Sequence, residues 1–279
     1  MGIKEEIEKA ISLREQGKLA EAVEAYHTVA KLLEKEGHIL DAANAYLEMG
    51  LLLNESGDDE KALKWHKKAF MFFNENKDER MADAAYNLCV TLVNLGNYKD
   101  ALKYGLTSLQ IYKKLDNEDG MADANYALAL AKMDHSPEES IDNLNKALKI
   151  YTKLKNKEGV SSVHIELGNI FLTIDKLEEA MAHFKKALSL YKTAEDREGM
   201  ASTLVNIAEL HEINDKYRDA AFNFVKASEK FIECDLPDLA EEFIARTDSL
   251  ISELPKSTRR TVRKKLEALN EQIKEKGEM

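Results

Sequence analysis

The sequence predicts an all-α protein of about fourteen helices arranged as antiparallel pairs. Three observations carry that prediction: one short segment recurs at a nearly constant step, small residues recur at helical spacing on both sides of it, and helix breakers are scarce. The 279 residues include only 12 glycines and 3 prolines, with 44% hydrophobic and 33% charged residues. That is enough apolar content for a core and too few turn formers for a β-sandwich.

The recurring segments are Gly17-Lys18-Leu19-Ala20-Glu21-Ala22, Gly57-Asp58-Asp59-Glu60-Lys61-Ala62, Gly96-Asn97-Tyr98-Lys99-Asp100-Ala101, Asp175-Lys176-Leu177-Glu178-Glu179-Ala180 and Asp215-Lys216-Tyr217-Arg218-Asp219-Ala220. With His135 filling the missing slot, the turns fall at 17, 57, 96, 135, 175 and 215, a step of 39 or 40 residues. A fixed period of this size indicates stacked helical hairpins. It places repeats at about 3–36, 38–76, 78–115, 118–155, 158–194 and 197–234, with a degenerate capping pair at 237–279, in one solenoid over 1–279.

Each hairpin has a helix A before its turn and a helix B after it. In helix A a small residue recurs as Ala10, Gly50, Cys89, Ala129, Gly168 and Ala208. In helix B the fifth, ninth and twelfth positions after the turn share one face and read Ala22, Tyr26, Val29 in the first repeat and Ala180, Phe184, Ala187 in the fifth. Small residues on facing helices let two backbones approach closely, as a tight antiparallel pair requires. Ser136-Pro137-Glu138-Glu139 has the form of a capped helix start with proline at the first helical position. Asn117-Glu118-Asp119-Gly120, Asn156-Lys157-Glu158-Gly159 and Glu195-Asp196-Arg197-Glu198-Gly199 supply polar turns between repeats. In the capping pair, Leu239, Phe243, Ile244, Leu250 and Ile251 belong to the first helix and Val262, Leu266, Leu269 and Ile273 to the second.

This arrangement of small residue, turn glycine, alanine and bulky residue resembles the tetratricopeptide repeat. The extended period looks like its forty-residue branch, similar to spindle-orientation adaptors of the Leu-Gly-Asn type. The resemblance implies a right-handed superhelical solenoid whose A helices line a concave groove. The size and the fourteen-helix layout also resemble soluble NSF attachment proteins, whose curved helical sheet grips a helical bundle and recruits an ATPase.

Little chemistry is encoded. None of the seven histidines pairs with another at the spacing of a helical zinc site, and no phosphate-cradling loop or nucleophile elbow appears. His211 takes a helix A packing position and reads as a packed, hydrogen-bonded histidine. No catalytic residue, cofactor or metal is expected, and the chain reads as a non-enzyme. Cys89 and Cys234 are too few for a disulfide framework. The start at Met1 to Arg14 is already charged, with no signal-peptide core, so a soluble, cytoplasmic protein is expected.

Net charge is −11, which disfavours nucleic acid and anionic lipid, yet eight bases and four acids follow Lys256 onward. Four positions of helix A, at −6, −2, +1 and +5 from the small residue, share the face that would look into the groove. Nine of these 24 positions are acidic and one, Lys4, is basic. The expected partner is therefore a basic or amphipathic peptide or helix, met by Glu48, Asp83, Asn87, Asn94, Asp123, Glu166, Asn169, Asn206 and Glu209. The apolar residues Ile11, Leu51, Val90 and Leu130 favour an amphipathic helix along the first four repeats. The carboxylate clamp of chaperone-binding relatives is not expected, because Ile165 stands where its lysine belongs. Arg259, Arg260, Arg263 and Lys264 offer a second, basic contact surface, to membrane or to the acidic groove of another copy, so self-association is open to the chain. The function expected is a non-catalytic adaptor. An attachment-protein-like recruiter of an ATPase and a sensor of a small ligand are the alternatives.

Overall fold

Fourteen α-helices and one 3-10 turn make up the described residues, 2–277, of the computed structural model, with no strand among them. Met1, and Glu278 and Met279 at the end of the expected capping pair, lie outside the described residues. The chain divides into two units, Met1–Leu154 and Lys155–Met279. The first holds α1 (Ile3–Glu15), α2 (Leu19–Lys35), α3 (Ile39–Glu55), α4 (Asp59–Glu75), α5 (Met81–Asn94), α6 (Tyr98–Lys114), α7 (Glu118–Leu130) and α8 (Pro137–Leu154). The second holds α9 (Lys157–Thr173), α10 (Leu177–Ala194), α11 (Arg197–Ile213), α12 (Tyr217–Glu233), α13 (Pro237–Ser249), the 3-10 turn Leu250–Glu253 and α14 (Lys256–Gly277). Odd helices up to α11 are A helices and the even ones are B helices, as the repeat predicts.

The turn residue works through its backbone. Gly17 sits at φ +70°, which lets its N–H reach the Arg14 carbonyl (2.9 Å) and the Lys18 N–H reach the Leu13 carbonyl (3.0 Å), closing the end of α1. Where glycine is absent, Asp175 and Asp215 take the same left-handed backbone at φ 59° and 55°. Aspartate tolerates that region better than most side chains do. The fourth turn differs. His135 is not left-handed, because α7 ends at Leu130 and the chain passes through successive turns to α8. The fourth repeat is one residue shorter between Ala129 and Ser140 than the others, and the early helix end absorbs that loss. Lys132 folds back there, its ammonium 2.9 Å from Glu139 and 3.1 Å from the Asn143 side-chain oxygen.

The polar turns between repeats are helix caps. The side chains of Asn117, Asn156 and Asp196 accept hydrogen bonds from the N–H groups of Gly120, Gly159 and Gly199 at 3.0, 2.8 and 2.8 Å. Their glycines have a second purpose. A Cβ on Gly120 or Gly199 would meet the ring of Tyr112 or Tyr191 at 2.5 and 2.4 Å.

In three pairs a glycine at the small position of helix A or the ninth position of helix B makes room for the facing side chain. Gly50 faces His66, Gly168 faces Phe184, and in the third repeat the order reverses, with Gly105 of α6 facing Cys89 of α5. The capping pair departs from expectation in two places. Leu250 and Ile251 are buried but lie in the 3-10 turn, where the approach of Pro255 forbids continuation of α13. Leu239 is exposed, not core. Phe243 stacks on both Phe224 and Phe231, with centroids 5.7 Å away in each case, so the cap is welded to α12 by aromatic contact.

A Cβ on Gly168 would lie 2.4 Å from the Phe184 ring. Gly168→Ala is expected to lower stability by about 1–2 kcal/mol, overpacking outweighing the gain in helix propensity of about 1 kcal/mol. Adding Phe184→Leu should recover most of the loss, since the fourth repeat carries Ala129 and Leu144 at these positions. Urea denaturation of the single and double variants tests it.

Candidate functional site

The expected contact residues lie on A helices: Glu48 on α3, Asp83, Asn87 and Asn94 on α5, Asp123 on α7, Glu166 and Asn169 on α9, and Asn206 and Glu209 on α11. The first five belong to the first unit and the last four to the second. Most are half-buried, Asn94 is exposed, and many have partners within the chain.

In the first unit the Glu48 carboxylate is 2.6 Å from the Arg14 guanidinium of α1. Asp83 accepts the Tyr112 hydroxyl at 2.5 Å, and Asp123 accepts the Tyr151 hydroxyl at 2.5 Å. The tyrosines come from the B helix of the same repeat, so each bond staples its own hairpin. Asn94 donates to Asp59 at 3.1 Å, an oxygen also held by Asn54. The Thr91 hydroxyl is shared between the Asn54 side-chain oxygen (2.9 Å) and the Asn87 backbone carbonyl (2.8 Å). The same hydroxyl shares a hydrogen bond with the His66 Nδ1 at 3.0 Å. His66 is fully buried, and burial pushes its pKa down to about 4, so the ring is neutral at pH 7.

In the second unit Asn169 donates to Glu166 at 3.2 Å. Glu209 accepts from Arg246 of α13 at 2.7 Å, and the same guanidinium reaches Glu212 at 3.0 Å. Asn206 borders a cavity of about 280 Å³ with Tyr191, Ser202 and Thr203. Among the described residues, the side-chain amides of Asn87 and Asn206 hold no hydrogen bond, which leaves them available to a partner's backbone.

Sequence reasoning missed two rows. The sixteenth position after each turn is Leu33, Phe73, Tyr112, Tyr151, Tyr191 or Phe231, and the three tyrosines reach the −6 residues Asp83, Asp123 and Ser162. The in-phase aromatic was a signal available in the sequence. The second row joins the −4 residue of helix A to the eighth position after the turn. Tyr46 stacks on Trp65 (5.1 Å), Asn143 donates to Asn125 (3.0 Å), and the Nδ1 atoms of His164 and His183 share a hydrogen bond (3.0 Å). His211, expected to be hydrogen-bonded, has a buried Nδ1 without a hydrogen-bond partner among the described residues.

Of the basic residues on α14, Arg259 is spent on structure, donating to the carbonyls of Leu254 (2.9 Å) and Ser252 (2.7 Å). Arg260, Arg263 and Lys264 are exposed. No helix is long and apolar enough to cross a membrane, and among the described residues no group of three His, Cys, Asp or Glu side chains is placed to hold a metal.

Residues 96–240, just over half of the chain, match the family model of soluble NSF attachment proteins. The chain belongs to the soluble NSF attachment protein family. The tetratricopeptide repeat model matches residues 7–69 of this family member. Among solved structures it is similar to the apo form of RapI (TM-score 0.67, 15% identity, 91% of this chain and 98% of the other). It is also similar to a Rap protein complexed with competence and sporulation factor (0.63, 13%, 92% and 74%) and to aspartyl phosphate phosphatase F from Bacillus subtilis (0.63, 12%, 87% and 68%). At these identities the likeness shows the fold, a tetratricopeptide-like array of helical hairpins. No curated protein matches this attachment-protein relative in sequence.

Burial raises the pKa of Asp123, and the neighbouring charges of Asp119 and Asp83 add to the rise, while the Tyr151 hydroxyl opposes it. A carboxyl whose folded pKa exceeds its unfolded value stabilises the fold below the unfolded pKa and loses that contribution as pH rises through the folded one. Asp123→Asn keeps an acceptor for Tyr151 and removes the charge. It is expected to be more stable than wild type at pH 7, with the advantage vanishing as pH falls into the carboxylate range, measured by thermal melts across pH.

Proposed function

We propose that the chain is a non-catalytic adaptor that holds a segment of a partner protein, basic or amphipathic in character, on the A-helix rows. The observation that carries this reading is the pair of unsatisfied amides, Asn87 and Asn206, each on a row with half-buried acids. An amide that both donates and accepts can grip an extended backbone, and acids beside it select for lysine and arginine. The ion pairs Arg14–Glu48 and Arg246–Glu209 are partly exposed. Such pairs contribute only about 0–1 kcal/mol, so a partner's guanidinium can replace the internal one at little cost. The Rap protein complexed with competence and sporulation factor shares this fold, which supports an interaction role.

The test is affinity capture from the host lysate, comparing wild type with Asn87→Ala, Glu166→Lys, Asn206→Ala. Loss of two amide bonds and one favourable charge is expected to weaken the captured partner's binding roughly 10- to 100-fold, with helicity unchanged by circular dichroism. Equal capture by both proteins would remove the A-helix rows as the binding surface.

The family match favours a second reading, in which the bound segment belongs to a helical bundle and the adaptor recruits an ATPase to it. Stimulation of ATP hydrolysis by a host AAA-type ATPase is the expected result. Absence of stimulation with any such ATPase would exclude it.

A further inference from the structure

The outward face of α14 is basic over its first turns and mostly acidic over the later ones, Lys274 being the one base among the acids. Val262, Leu266 and Leu269 are buried, which leaves the opposite side of the helix to solvent. That side carries Lys256, Arg260, Arg263 and Lys264 over its first turns and Glu267, Glu271 and Glu275 over the following ones, all exposed. None of these seven, nor the exposed Lys274, has an ion pair among the described residues, whereas Lys265 lies 3.5 Å from Glu229, Lys276 lies 3.1 Å from Asp235, and Arg259 binds carbonyls. The first turn of α14 holds no acid. Bases at a helix N-terminus oppose its dipole, so this order of charges does not serve the isolated helix.

We propose that this face is a self-complementary interface on which α14 of a second copy lies antiparallel. Reversing one copy sets Lys256 against Glu275, Arg260 against Glu271 and Lys264 against Glu267 in a single register, and each pair occurs twice about the two-fold axis. A slide by one turn keeps only two of the three pairs, Arg260–Glu275 with Lys264–Glu271 or Lys256–Glu271 with Arg260–Glu267, and slides by two turns are repelled. Sliding the copies by two turns one way puts Glu267 against Glu271 and Lys264 against Lys274, sliding them the other way puts Arg260 against Lys264, and parallel pairing puts every charge against its like. Antiparallel docking also brings the basic first turns of each helix beside the acidic turns of the other, which removes the conflict with the dipole. A second copy suits this face better than a membrane or a nucleic acid does, because a uniformly anionic surface would meet three exposed glutamates on the same stripe. The contact is polar and rimmed by water, so the dimer is weak, salt-sensitive and reversible.

The experiment is sedimentation velocity of the full chain over a concentration series, at about 20 mM and about 500 mM salt. Wild type is expected to self-associate at low salt and to disperse at high salt. Arg260→Glu and Glu271→Arg should each weaken association at least tenfold, since each creates two like-charge contacts per dimer. An equimolar mixture of the two variants should associate again, because the exchanged charges at positions 260 and 271 then face each other with opposite sign, and the double variant should do so alone. Both positions are exposed, so the fold is retained, which circular dichroism checks. Wild type that stays monomeric at low salt, variants that associate as wild type does, or a mixture that fails to recover would each overturn the proposal. Docking of α14 on an acidic row of another copy is separated by the same set, because Glu271→Arg would strengthen that contact instead.

Discussion

The close approach of helix A to helix B at one small residue per hairpin governs the rest of the molecule. Ala10, Gly50, Cys89, Ala129, Gly168 and Ala208 are where it happens, and the ninth residue after each turn decides how much room is needed. Three contacts share bulk directly, the rings of His66 and Phe184 filling the space a Cβ on Gly50 or Gly168 would take and Gly105 admitting the Cys89 sulfur, while Tyr26 and Phe224 stand in the repeats that carry Ala10 and Ala208. A packed interior tolerates such exchanges only when volume is conserved. This is also why the repeat period is steady while the identities at these positions are not.

Closing the hairpins fixes which polar side chains end up near one another. With the small residue in place, the −6 residue of helix A comes within reach of the tyrosine at the end of helix B, and Asp83 and Asp123 become acceptors for Tyr112 and Tyr151. On another side of the same hairpin, like side chains meet: Tyr46 with Trp65, Asn125 with Asn143, His164 with His183. Each pairing spares a half-buried polar or aromatic group the cost of standing alone. Together they remove residues from the inventory open to a partner, and what remains is narrower than an acidic row read from sequence: free amides, exposed carboxylate edges and a few replaceable ion pairs.

The hairpins, their phase and the turn positions were legible because each follows from steric rules acting over one or two helical turns. The caps were legible as turns for the same reason. The partners of the acidic residues were not, since they stand in other helices: Glu48 meets Arg14 and Glu209 meets Arg246, 34 and 37 residues apart. Only the repeat register connects such positions, and the aromatic sixteenth position shows that it could have been used. His135 failed as a turn residue because a deletion changes where a helix can end, and here the chain ended α7 early instead of tightening the turn. Leu250 and Ile251 have the apolar spacing of a continuing helix, but Pro255 lies within reach of that helix and imposes a 3-10 turn first.

The charge that survives this pairing is suited to reversible contact. Exposed ion pairs stabilise the fold little, so their exchange for a partner's charges is nearly neutral in affinity, while the net field of an acidic chain still steers a basic segment toward it. In the reading proposed above, the amides of Asn87 and Asn206 would hold a partner's backbone and the acids beside them would select its charge. The same separation of roles appears on α14, where weak pairs set register and buried leucines hold the helix in place. Binding of the kind proposed would be a sum of many small terms, each measurable by removing one residue, and would weaken as salt or a competing charge screens a few of them.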